Sequence, residues 1–327
     1  MSKLEKIRTI YNIKEDFPMK SRRFSLRLPI LLAAAIATVI LRSVALSRDM
    51  DYIYGYFNSK TLISVSGWIV FGAGLLLSIL ALSEQKRENL APTYHTPATY
   101  VPVALVCISL LFLSLELFVK FKGTFDVLNV AQSGVYRAML LICAILALCA
   151  AVCFFIFTFM KAPLDNTRAT ALTVIAIFAI MYSAYLYFTT ELPINAPNKI
   201  IDQTAYTFTA LYFLYEARAS LGKAMWRTYT VFGQIAALLC AFSSIPSLAV
   251  YFIDGKIVSN SIYENVLTFT LFIFISSRLI LFGEFESTEI CEAARAIDEL
   301  DENGYIRTEE KEEEEAEAPN DSEETYE

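Results

Sequence analysis

Eight runs of about twenty residues, most of them strongly apolar, recur along the chain and are divided by short charged links. At 1.5 Å per residue, a helix of about twenty residues spans the roughly 30 Å hydrocarbon core of a bilayer. Lipid offers no partner to a bare peptide group, so such a run must satisfy its backbone internally, as a helix. The runs lack alternation at period two, which argues against a transmembrane β-barrel. With 56% hydrophobic and 19% charged residues, a chain of 327 is also too apolar for an ordinary soluble domain. The predicted fold is therefore all-α: a polytopic integral membrane bundle of eight transmembrane helices. They fall near 28–46, 62–82, 100–119, 137–160, 169–190, 202–221, 228–253 and 262–283.

The sixth run differs from the others. Gln203, Thr204, Thr207 and Thr209 stand near its start, and Glu216 and Arg218 near its end. A helix this polar avoids lipid by sitting against other helices or a wet cavity. It is predicted to be internal, with more apolar helices around it. In the seventh run, Pro246 predicts a kink, and Ser243 and Ser244 are the predicted partners of the backbone groups it frees. Gly67, Gly72 and Gly74 in the second run allow close helix approach.

Residues 1–27 form a basic segment, with eight Lys or Arg against Glu5, Glu15 and Asp16. Ala45-Leu46-Ser47 loosely resembles a signal-peptidase site, but the charged region before it is long and Arg42 interrupts the apolar run, so the first run reads as an uncleaved span. Eight spans put both termini on one side. With that side cytoplasmic, inside segments carry eighteen of the 27 Lys and Arg and outside segments seven. This asymmetry places both termini in the cytoplasm of a cell membrane protein. After residue 283, Ile290, Ala294, Ile297 and Leu300 keep helical spacing, so 284–303 reads as a short cytoplasmic helical extension. Residues 304–327 read as a disordered acidic tail. From Glu284 onward there are nineteen acidic and three basic residues.

Charges at membrane depth are the sharpest functional signal. Arg42 and Glu116 fall near the outer ends of their spans, and Glu216 and Arg278 near the inner ends of theirs. An unpaired charge in a bilayer is expensive, so two structural ion pairs are predicted, Arg42 with Glu116 and Glu216 with Arg278. The local competitors are Lys120, four residues after Glu116, and snorkelling of Arg278. Tyr182, Tyr185, Tyr187, Tyr206, Tyr251 and Tyr263 crowd the outer halves, either as an interface belt or as a pocket for an amphiphilic or cationic ligand. A ligand site would draw on Glu216, Tyr212, Tyr206 and Gln234, with Thr230 beside the last.

Enzymatic chemistry finds little support. His95 is the sole histidine, in a loop between Pro92 and Pro97, and no zincin motif or nucleophile elbow is present. Five of the six cysteines, Cys107, Cys143, Cys149, Cys153 and Cys240, fall in apolar runs and read as small hydrophobes; Cys291 lies in the tail. No metal or cofactor is implied. The basic segment lacks the interleaved aromatics of a nucleic-acid surface. The sequence thus predicts a non-enzymatic sensor, regulatory or accessory protein in a lipid bilayer, with a cytoplasmic protein partner for the acidic tail. A small-molecule transporter with its site around the sixth helix is the alternative.

Overall fold

The computed structural model describes residues 22–51, 55–59, 61–83, 90–91, 97–126, 134–159, 166–189, 193, 196–221, 223, 225–256, 261–280 and 286–287. The chain divides into two compact units. One, Pro18–Glu286, holds eight long helices. The other comprises residues 1–17 and 287–327. The predicted extension and acidic tail, and most of the basic segment, lie outside the described residues.

The helices are α1 (Arg22–Asp49), α2 (Thr61–Leu82), α3 (Pro97–Asp126), α4 (Gly134–Phe159), α5 (Asn166–Phe188), α6 (Pro197–Ser220), α7 (Trp226–Asp254) and α8 (Ile262–Ile280). Several run past their apolar stretch. Helix α3 starts at Pro97, and α6 starts at Pro197, where the fixed proline φ and missing N–H suit a first helical turn. Helix α7 ends on Gly255, whose φ of 66° lets its N–H cap the Tyr251 carbonyl at 3.0 Å. Between α1 and α2, strands β1 (Met50–Asp51) and β2 (Tyr56–Phe57) pair antiparallel.

Six helices form a closed ring. Helix α3 packs on α4, α4 on α5, α5 on α6, α6 on α7, α7 on α8, and α8 returns to α3. Helices α1 and α2 pack on each other and on α7. Small residues line the seams, among them Ala144, Ala147, Ala176, Ala205, Ala236 and Ala237, all fully buried, so the backbones approach closely. Large aliphatic and aromatic residues point outward instead: Ile36 on α1, Trp68 and Phe71 on α2, Leu115 on α3, Phe155 on α4. This inverted polarity suits lipid rather than water.

Seven of the helices are long and apolar enough to cross a membrane. They make the chain a multi-pass helical membrane protein. The eighth, α6, has the length, at 24 residues, but not the apolarity. Asn198, Lys199, Asp202, Thr209 and Glu216 are buried, whereas Thr207 and Arg218, also singled out in the sequence, are exposed. Helix α6 packs between α5 and α7 in the ring.

Candidate functional site

Three layers of side chains reach across the ring from α6 to α8, helices separated by α7. In the inner layer, Arg278 donates through Nη2 to Glu216 Oε1 at 2.9 Å. The other carboxylate oxygen accepts from Tyr212 at 3.1 Å, and the Tyr212 hydroxyl lies 3.2 Å from that of Tyr229 on α7. In the middle layer, Phe154 of α4, Phe213 of α6 and Phe274 of α8 meet edge-to-face and stacked, with centroids 5.5–5.9 Å apart. In the outer layer, the Thr268 hydroxyl donates to Tyr206 at 3.1 Å, and Tyr182 packs on the Tyr206 ring at 4.7 Å. Glu264, one turn before Thr268, is buried as well.

The layers share one register. Tyr206 to Thr268 and Glu216 to Arg278 are both 62 residues apart in sequence. Helices α6 and α8 therefore run parallel without slippage between the outer and inner layers, about 15 Å apart along the axis. Between the outer and middle layers lies a void of about 10 Å³, lined by Leu110, Phe154, Ile175, Phe178, Thr209 and Leu271 among others. That is about the room one water needs, but its lining is almost wholly apolar. Thr209 Oγ1 sits 3.5 Å from Cys240 Sγ and donates to its own helix at Ala205.

Of the residues singled out for a ligand site, the structure brings Tyr212 and Glu216 together. Tyr206 lies in the outer layer, well away from them. Gln234 shares its face of α7 with Leu238 and Ala241, which pack against Leu31, Ala35 and Leu77 of α1 and α2. Gln234 is buried, and its Oε1 has no hydrogen-bond partner. The crowd of tyrosines separates too: Tyr187 and Tyr263 are about half exposed, whereas Tyr182, Tyr185 and Tyr206 are core residues.

Glu216 and Arg278 meet, but the predicted pairing of Arg42 with Glu116 does not occur. Helix α1 lies outside the ring against α7, and Glu116 belongs to α3. Glu116 instead pairs with Lys120 one turn along, at 3.2 Å, and accepts from Ser261. Arg42 donates to the Phe242 carbonyl of α7 and, at 2.9 Å, to Asn198 Oδ1 of α6. Proline lacks an N–H, so Pro246 leaves the carbonyl four residues earlier, that of Phe242, without its helical donor. Arg42 supplies the missing donor, and its guanidinium also stacks 4.6 Å above the Phe242 ring. The predicted serine partners do other work. Ser243 donates to Asp202, and Ser244 to Cys240 O at 2.7 Å. Asn198, Asp202, Tyr229 and Glu264 went unrecognised in the sequence. The signal that could have found the first two was Pro246 itself, since a freed carbonyl at membrane depth calls for a donor and the donor's charge for an acid nearby.

Gly233 is where α7 comes closest to the inner layer. A Cβ there would stand 3.1 Å from Leu279 Cδ2 and 3.2 Å from Tyr212 Cδ2. Gly233→Leu is therefore expected to lose about 1–3 kcal/mol of stability by overpacking. Gly233→Ala should lose less, because the Tyr212 ring need yield only a few tenths of an ångström. Thermal unfolding in detergent measures both. Among the described residues there is no group of three or more His, Cys, Asp or Glu placed to hold a metal ion. No protein-family model, no curated protein and no solved structure matches the chain.

Proposed function

We propose that this chain is a non-enzymatic sensor, regulatory or accessory protein of the cytoplasmic membrane, acting through its bundle and its acidic tail. The observation that supports this reading is the three layers of side chains that cross the ring from α6 to α8. A transporter needs a polar path with groups free to exchange partners, and here Glu216 and Arg278 are held by each other and by Tyr212. In the same reading α6 is an eighth crossing, flanked by α5 and α7 with its buried polar residues turned into the ring. Eight crossings put both termini on one side, and the Lys and Arg asymmetry makes that side the cytoplasm. The acidic segment after residue 283 then faces the cytoplasm and suits a basic protein partner.

Native Cys240 reports on the lumen, because it touches Thr209 beside the central void. In a variant keeping only this cysteine, a hydrophilic thiosulfonate reagent applied to membrane vesicles is expected to leave Cys240 unmodified until the protein is denatured. Modification in the folded state would overturn the sealed bundle and favour transport through a site near Glu216. On a cysteine-free background, Ser83→Cys and Lys256→Cys test the topology. The first should label from the cytoplasmic face and the second from the outer face.

A further inference from the structure

We propose that the oxygens around Asp202 form a site for a small monovalent cation on the six-helix ring, and that Arg42 of α1 fills this site as a tethered ligand. The donors come from two ring helices. Helix α6 gives Asn198 Oδ1 and, one turn on, the Asp202 carboxylate; α7 gives the Phe242 carbonyl and the adjacent Ser243 hydroxyl. All four residues that carry a polar side chain here are buried: Arg42 at 0% exposed, Asn198 at 1%, Ser243 at 2% and Asp202 at 4%. The donor set is entirely oxygen and carries one negative charge. That chemistry suits one hard or hydrogen-bonding cation of charge +1.

The occupant arrives from outside the ring. Helix α1 belongs to the pair that packs on α7, and Arg42 extends past α7 to reach Asn198 on α6. Each of its two terminal nitrogens finds a different ring oxygen, and Asp202 accepts from Ser243, the residue after Phe242. Its Nε has no hydrogen-bond partner. The head of the side chain is thus held by the ring while the rest of its donor capacity goes unused. The Phe242 carbonyl is free to accept because Pro246 lacks the N–H that would have bonded it within the helix, and Arg42 supplies that donor.

Thermal unfolding of the detergent-solubilised full chain tests this. Arg42→Gln is compared with the wild type in guanidinium, sodium and tetramethylammonium chlorides at matched ionic strength, well below denaturing concentration. Arg42→Gln should have a lower Tm, and guanidinium should raise it saturably by about 2–4 °C, while the wild type does not respond. A sodium response as well would mark a general cation site; a response to guanidinium alone would mark one built for a planar donor. Tetramethylammonium, which cannot donate and is bulkier, should have no effect. The double variant Arg42→Gln/Asp202→Asn should be more stable than Arg42→Gln and insensitive to cations. Indifference of Arg42→Gln to both small cations would overturn the proposal. If Arg42→Gln does not accumulate, recovery of the double variant supports the cation site, and loss of both variants refutes it.

Discussion

Glu216→Leu is expected to destabilise the bundle by about 3–5 kcal/mol, the usual cost of breaking a buried ion pair from one side. Arg278→Met should be milder. The two lesions are unequal because the survivors differ. A guanidinium cannot shed its proton, so Arg278 stays charged in a buried position after losing its carboxylate partner. A carboxylate left alone can take up a proton, and Tyr212 still donates to it at 3.1 Å. Glu216→Leu/Arg278→Met should then be more stable than Glu216→Leu, since the buried guanidinium that lost its carboxylate is gone as well. Thermal unfolding in detergent, followed by retention of a monodisperse peak, gives the order. Equal losses in both single variants, or a double variant worse than either, would mean that packing rather than charge holds the inner layer.

Phe154→Ala attacks the middle layer. Phe154 is fully buried and touches Phe213 and Phe274, which come from two other helices of the ring. The loss is argued from the cavity rather than from transfer to water, because unfolding within a bilayer exposes side chains to lipid that is as apolar as the core. Truncation removes about 100 Å³ of side chain, and at about 24 cal/mol per Å³ the cavity alone is worth about 2.4 kcal/mol. The variant should also enlarge the void beside Thr209. Cys240 modification in the folded protein should therefore rise in Phe154→Ala, and stay at the wild-type level in Phe155→Ala, whose side chain points outward. No gain in Phe154→Ala would show that the outer and inner layers seal the lumen without the middle one.

Both outcomes turn on contacts between helices, and those are where the chain was hardest to read. The helices were legible from run length alone, and the special standing of α6 from its polarity, because a bilayer filters sequence by hydropathy over about twenty residues. Glu216 and Arg278 were legible as partners because both sit near the same end of parallel helices. Arg42 was not matched correctly. Depth in the membrane restricts which charges can meet, but it does not say which helices are neighbours. Glu116 and Arg42 share a depth by sequence, yet α3 is in the ring and α1 is outside it. Helix order around a ring is set by side-chain fit at Ala-rich seams, and many runs here carry similar small residues.

By itself, then, the sequence determined the class of the molecule, the approximate limits of its helices, and the need for α6 to be shielded. Those follow from one-dimensional quantities: length, hydropathy and charge. The closed ring, the α6 to α8 register across it, and the capture of the Pro246-freed carbonyl by Arg42 were decided by tertiary structure. Each depends on the relative rotation of two helices, and rotation is fixed by packing between side chains far apart in the chain.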